Sequence, residues 1–332
     1  MTARSDHPAR SRAVAAFEAA ARAALHAPSV FNTQPWRWRI TGETLELYAD
    51  HGRALQATDP DGRLLMLSCG AALHHARVTL EADRWTVGVE RLPNGGNADP
   101  LARITAAGIE PADHRAERMA AAITSRRTDR RAFDDRLVPN DLLTQLRRTV
   151  EAEGAYLHVV RRDQMPMLAI STSRAADAEN DDPAYRAELE RWTNRPEGSG
   201  DGVPAATAVE HAPRRVPVRD YAPGGTAGLS AGEGFDLGAA YVVLFGRTDR
   251  PAELLRGGEA LSALLLTATA KGLATAPLSD TIEVEWPRRL LRDLLPEVGE
   301  PYLIVRLGYH DAAAPLPEAP RRDPGDIIQI SD

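Results

Sequence analysis

The stretch His26-Ala27-Pro28-Ser29-Val30-Phe31-Asn32-Thr33-Gln34-Pro35-Trp36-Arg37-Trp38-Arg39-Ile40 constrains this chain more than any other. An Ala-rich run with Val14, Phe17 and Leu25 leads into it and predicts a helix over Ala13–His26. Pro28 ends that helix, because its ring removes a donor and clashes with the preceding turn. Ser29, Asn32, Thr33 and Gln34 then crowd short polar side chains and free backbone amides into one turn. Beyond Pro35, Trp36, Trp38 and Ile40 alternate with Arg37 and Arg39, the period-two pattern of a half-buried strand.

The rest of the chain reads as mixed helices and strands. After a turn at Thr41-Gly42-Glu43, Thr44–Ala49 returns as a strand, and a polar loop over His51–Gly62 leads to a helix over Arg63–Ala82. Thr86–Leu92 and Leu101–Ile109 are strands separated by Asn94-Gly95-Gly96-Asn97, and Asp113–Ile123 is helical. Asn140 is positioned to cap a helix over Leu142–Glu153. A strand over Tyr156–Val160 and a helix over Met165–Ala178 follow, and then Pro, Gly and charge dominate from Glu179 to Gly234. The last part reads as a strand over Ala239–Phe245, a helix over Gly257–Lys271 closed by Gly272, a short helix over Pro287–Leu295 and a strand over Tyr302–Leu307. Gly70-Ala71-Ala72-Leu73 and Gly258-Glu259-Ala260-Leu261 place small residues at matching helical positions. They read as a weak internal repeat, two helices whose backbones approach closely at an internal interface.

Composition removes several classes of function. At 332 residues the chain has room for two domains, and its formal net charge of -7 argues against nucleic acid as a partner. The single cysteine, Cys69, allows neither an intrachain disulfide nor a thiolate metal cluster. No apolar run approaches the ~18 residues of a membrane span. Residues 1–12 are polar and lack the apolar core of a signal peptide, so they read as a disordered tail on a cytoplasmic protein. Gly228-Leu229-Ser230-Ala231-Gly232 satisfies G-x-S-x-G but lies in a glycine loop, without the strand and helix of a nucleophile elbow. Gly232-Glu233-Gly234 precedes a strand and does not follow one, so it is not a dinucleotide turn. His74 and His75 are adjacent on a helix and diverge, and His310 reads as a surface residue, so neither a metal site nor a hydrolase triad is expected.

The string from Ala27 to Trp38 resembles the signature turn of the FMN-dependent nitroreductases, and the whole chain resembles the Acg-type branch, which fuses two degenerate units into one polypeptide. The resemblance implies an α+β fold of two tandem units, 13–115 and 116–332, forming an intramolecular pseudo-dimer, with residues 179–234 inserted as a lid. It implies one FMN in the cleft, with Pro28, Ser29, Val30 and Asn32 approaching the flavin and Gln34 either beside them or holding the turn. Arg126, Arg127, Thr128 and Arg130 resemble the family's phosphate-binding run, and Arg321 and Arg322 its C-terminal basic pair. Guanidinium groups bind a phosphate dianion with paired, charge-assisted donors. Lys271–Asp280, with Pro277, Leu278 and Ser279, is similar to the segment that passes the reactive edge of the flavin. It departs from the family at Ser279-Asp280, where many nitroreductases carry Glu-Gly. NADPH or NADH would be the electron donor and a small organic or nitro compound the substrate. The alternative is a protein that sequesters FMN beneath its lid with little turnover. Crowding so many arginines without an anion argues against a flavin-free scaffold. The site needs only one chain, and further association into a homo-oligomer stays open. Tyr185, Leu189, Trp192, Val203, Val216 and Tyr221 would anchor the lid, and Arg195, Arg215 and Arg219 would point toward the cofactor.

Overall fold

The computed structural model describes residues 7–95, 99–111, 113–196, 198–222, 226–295, 299–310 and 315–331. Residues 1–6 of the expected tail, Gly96 and Asn97 of the expected turn, and Gly224 and Gly225 of the inserted segment lie outside that set. The first helix, α1 (His7–Ala24), starts six residues before the position expected from its apolar pattern. The chain then passes through the turn into β1 (Trp36–Thr41) and β2 (Thr44–Ala49), α2 (Arg63–Ala82), β3 (Trp85–Arg91) and β4 (Ala102–Ile109). There follow α3 (His114–Ser125), α4 (Asn140–Ala152), β5 (Tyr156–Val159), α5 (Met165–Asp181) and α6 (Pro183–Thr193). The chain continues with β6 (Ala240–Gly246), α7 (Pro251–Ala270), β7 (Ala274–Leu278), α8 (Asp280–Glu283) and α9 (Glu285–Arg292). It closes with β8 (Glu300–Gly308), α10 (Pro324–Ile327) and β9 (Ile328–Ser331).

The fold is α+β. A five-stranded sheet has the order β3-β4-β2-β1-β9, and a four-stranded sheet the order β5-β6-β8-β7. In β1 the alternation read from the sequence is present: Trp36, Trp38 and Ile40 are buried while Arg37, Arg39 and Thr41 are exposed. Their partners across the β1–β2 ladder are Ala49, Leu47 and Leu45, so both strands present one apolar face to α1 and α2. Each large side chain buried in this way contributes about 1.5–3 kcal/mol relative to exposure. The second sheet is covered on both faces. Leu146, Leu264 and Leu265 from α4 and α7 meet one side of β6 and β8, and Leu168 and Leu291 from α5 and α9 meet the other.

The sheets are joined by two central helices. α2 and α7 are buried around most of their circumference and pack together at their glycines. The chain terminus crosses back to the first sheet: β9 pairs in parallel with β1, Trp38 beside Ile328 and Ile40 beside Ile330. Other helix starts also differ from expectation, α7 beginning at Pro251 and not at Gly257 and α9 at Glu285 and not at Pro287. Asn140 is the first residue of α4 and makes no side-chain cap, Pro139 occupying the cap position. Asp113 does cap α3, its carboxylate accepting from Arg115 N at 2.8 Å. Residues 179–234 contain α6 and a short 3-10 turn over Ala205–Thr207, with Tyr185, Leu189, Trp192 and Val203 buried against Phe31 and Leu55. No helix among the described residues is long and apolar enough to cross a membrane.

Candidate functional site

The turn after α1 is held in a conformation that side chains seldom adopt. Phe31, Asn32 and Gln34 have φ values of 50, 54 and 48°. Residues in sparsely populated backbone regions cost of order 1–3 kcal/mol each and persist where the surroundings over-determine them. Here the restraints are visible. Ser29 Oγ accepts from Gln34 N at 2.9 Å, and Gln34 Nε2 donates to Gly200 O at 2.8 Å. Asn32 Nδ2 donates to Gly202 O at 3.1 Å and to Pro320 O at 3.0 Å, while its Oδ1 accepts from Arg321 at 2.7 Å.

Beside this turn lies a cleft with about 1240 Å³ of empty space, including the part open to solvent. One end carries Arg126, Arg127 and Arg321, with His26 and Thr128. Arg126 leaves the end of α3, and Arg126 and Arg321 each donate to His26 O at 3.3 Å. Arg127 donates to Thr124 O at 2.6 Å, to Arg126 O at 3.0 Å and to the Glu318 carboxylate. Donors are nonetheless left over: Arg126 Nε and Nη1, Arg127 Nε and Arg321 Nε are buried and have no hydrogen-bond partner among the described residues. Burial, and then the neighbouring arginines, push Arg126 down to about 9 and Arg321 to about 10. His26 is also lowered, by burial first and then by Arg321. Cations gathered in this way are short of a negative charge, since buried charges are ordinarily paired.

The loop that carries the arginines is fixed from behind. Asp129 N donates to Thr275 O of β7 at 2.9 Å. Arg306 of β8 is fully buried, donates to Asp129 O at 2.9 Å and Arg131 O at 2.8 Å, and pairs with Asp236 at 2.7 Å. Asp236 in turn accepts from Phe133 N at 2.7 Å. Apolar residues line the same cleft: Leu64 and Leu67 of α2, Leu261 of α7 and Leu303 of β8, with Val30, Phe31, Val203, Pro204 and Tyr221. Arg130 lies over the Tyr221 ring at 4.2 Å.

No family model matches the chain. A Mycobacterium tuberculosis protein named "Putative NAD(P)H nitroreductase acg" is 36% identical over 320 residues, spanning 95% of this chain and 95% of its own. The chain belongs to the Acg-type nitroreductase-like family. A second Mycobacterium tuberculosis protein, "Putative NAD(P)H nitroreductase Rv3131", is 38% identical to this Acg-type chain over 311 residues, covering 92% of it and 89% of the relative. Among solved structures, the FMN-dependent nitroreductase NfnB from Mycobacterium smegmatis in complex with NADPH aligns with a TM-score of 0.43 at 18% identity, over 65% of this chain and 99% of its own.

In this Acg-type chain the cleft brings together Pro28, Ser29, Val30, Asn32, Arg126, Arg127, Thr128, Arg130, Pro277, Ser279 and Arg321. Three expected residues face elsewhere. Leu278 points into the core on the α5 side of the second sheet. Arg322 donates to Gln34 O at 3.0 Å and pairs with Asp50 at 3.2 Å, away from the other arginines. Gln34 is fully buried beneath the turn. The arginines of the inserted segment do not line the cleft either. Arg195 pairs with Asp201 at 2.6 Å, Arg219 with Glu283 at 2.7 Å and Glu179 at 3.0 Å, and Arg215 is exposed. His74 and His75 are buried between α2 and α7, their Nδ1 atoms 2.7 and 2.9 Å from Ser262 Oγ, and both are held neutral by burial. Among the described residues no group of His, Cys, Asp and Glu has the arrangement of a metal site.

Residues missed by the sequence reading include His26, Leu64, Leu67 and Ser68. The last three were accessible to it: they stand three and four apart in the first turns of α2, on one helix face. Residues 316–319 and Gly202 and Pro204 carried no comparable signal, because only tertiary contact brings them to the cleft.

Proposed function

We propose that this Acg-type protein is an FMN-dependent oxidoreductase holding one FMN per chain in the arginine-lined cleft. The observation that carries the reading is the set of orphaned buried donors on Arg126, Arg127 and Arg321. A phosphate monoester fits that set, since it supplies both the missing charge and several acceptor oxygens. The apolar residues that share the cleft suit a planar, weakly polar ring. The relatives' names, which give NAD(P)H and a nitroreductase, support the same class of reaction and donor.

In this reading Arg126, Arg127 and Arg321 bind the phosphate, and the Thr128 hydroxyl adds a donor. Pro28, Ser29, Val30, Pro277 and Ser279 border the remainder of the cofactor. Leu64, Leu67, Leu261 and Leu303 exclude water from its ring. When bound, FMN supplies hydride chemistry between NADPH or NADH and a small organic or nitro substrate. No side chain is assigned a proton-transfer role. The units 13–115 and 116–332 form an intramolecular pseudo-dimer about α2 and α7, and residues 179–234 are a lid.

A second reading, FMN sequestration with little turnover, is favoured by one feature. The lid is tied down at several points: Asp201 pairs with Arg53, and Glu188 accepts from Gln56 N at 2.7 Å and Thr58 N at 2.8 Å. Titration with FMN and riboflavin tests the cofactor assignment. Arg126→Ala should weaken FMN about ten- to a hundredfold, the value of one charge-assisted hydrogen bond, and leave riboflavin nearly unchanged. Equal losses for both flavins would remove the phosphate from the arginine cluster. Reduction by NADPH, measured anaerobically, separates the oxidoreductase from the sequestering protein.

A further inference from the structure

Asn32 and Gln34 line or underlie the cleft, yet their side-chain amides are engaged by the protein itself. Both hydrogens of Asn32 Nδ2 are used, one on Gly202 O at 3.1 Å and one on Pro320 O at 3.0 Å. Its Oδ1 accepts from Arg321 at 2.7 Å. Gln34 repeats the arrangement two residues on. Its Nε2 donates to Gly200 O at 2.8 Å and Asn32 O at 3.3 Å, and its Oε1 accepts from Arg322 N at 3.0 Å. Each amide therefore touches the inserted segment with its nitrogen and the C-terminal tail with its oxygen.

The two segments also touch each other. A Cβ on Gly200 would lie 2.6 Å from Arg321 O and 3.1 Å from Arg322 Cα, so the lid and tail backbones meet without room for a methyl group. Gly202 N adds a bond back to Asn32 O at 3.3 Å. The turn, the lid and the tail thus converge at one point beside the cleft, where Gly202 and Arg321 are both part of its lining.

We propose that Asn32 and Gln34 are positioning residues that latch the lid segment 200–202 and the tail segment 320–322 to the turn, and that this latch governs access to the cleft. An amide is needed at each position because the contacts require donors to two carbonyls and an acceptor for an N–H, and only an amide offers both on one short side chain. At Asn32 the left-handed backbone adds a second reason, since Asn and Asp adopt it more readily than other side chains. That the latch gates a flavin rests on the function proposed above; that it joins the segments does not.

Asn32→Asp is the discriminating variant. It preserves shape and backbone preference and keeps the acceptor for Arg321, while it replaces the two donors with a carboxylate oxygen facing two carbonyls. Gly200→Ala breaks the same junction from the lid side, where no buried core is disturbed. Hydrogen–deuterium exchange of the intact protein should show peptides spanning 199–204 and 320–323 exchanging at least tenfold faster in both variants, with β6 and β8 unchanged. FMN release, followed by flavin fluorescence, should accelerate by a similar factor. If Asn32→Asp loosens β6 and β8 as well, it has lost the fold and Gly200→Ala decides. Unchanged exchange in both segments overturns the latch. Faster exchange with unchanged FMN release overturns its control of access. If the unaltered protein takes up no FMN, the cofactor assignment fails, and the exchange measurement still decides whether the segments are latched.

Discussion

Gly70 of α2 and Gly258 of α7 meet back to back. A Cβ on Gly70 would lie 2.0 Å from Leu255 O, and one on Gly258 would lie 2.0 Å from Leu67 O. Backbone carbonyls in two buried helices cannot step aside as a flexible side chain can. Gly258→Ala should therefore cost about 1–3 kcal/mol or more through overpacking. Thermal unfolding should show the midpoint lowered by several degrees. An unchanged midpoint would mean that the helices are less closely joined than the glycines indicate.

Arg306 is the second mechanical element, because it fixes the loop bearing Arg126 and Arg127. Arg306→Met fills the space but leaves Asp236 buried without its close partner and removes the Arg306 donors to Asp129 O and Arg131 O. Breaking a buried pair on one side typically costs about 3–5 kcal/mol. Arg214, 3.8 Å from the same carboxylate, should keep the loss near the lower end. Denaturant unfolding measures it, and FMN affinity should fall too, because the loop proposed to bind its phosphate loses its support.

Burial and the neighbouring arginines disfavour the charge on Arg126. A guanidinium nonetheless keeps its proton, so the unfavourable charge is present across the working pH range. An anion relieves it, so phosphate or sulfate should protect the protein against heat, and Arg126→Ala should remove that protection. Equal protection of the variant would mean that the anion binds elsewhere.

A separate cluster around Arg219 has its own pH dependence. Glu179 shares Arg219 with Glu283 and is raised to about 9, first by burial, with Glu283 and Asp280 adding to the shift against the pull of Arg219. Between about 5 and 9 the folded chain holds a proton that the unfolded chain has released, so this group makes stability fall as pH rises. Glu179→Gln should remove that slope and raise the unfolding midpoint most at the alkaline end of the window. A variant whose pH–stability curve matches the parent would show that Glu179 is already ionised in the folded protein.

The sequence revealed segments more faithfully than side-chain directions. The strand at Trp36, Trp38 and Ile40 was legible because burial on one face imposes a period of two that composition displays directly. The arginine run was legible because few structures tolerate so many cations without an anion. What the reading lacked was that same alternation inside the candidate site. Pro277 and Ser279 face the cleft while Leu278 between them faces the core, and Arg321 enters the cleft while Arg322 turns toward Asp50. Consecutive residues in extended chain point opposite ways, so naming whole runs as ligands was bound to include neighbours facing elsewhere. The pairing of β9 with β1 left no local trace, since the partners lie at opposite ends of the chain.

The claim that one polypeptide builds one complete FMN site is tested most directly by the flavin content of the purified monomer. The protein is separated as a monomer, its flavin released by heat, and the flavin identified and counted against protein. The account predicts FMN at one per chain, retained on dilution because both sides of the cleft belong to the same polypeptide. No flavin after incubation with FMN, two per chain, FAD in its place, or flavin lost together with dissociation of a dimer would contradict it.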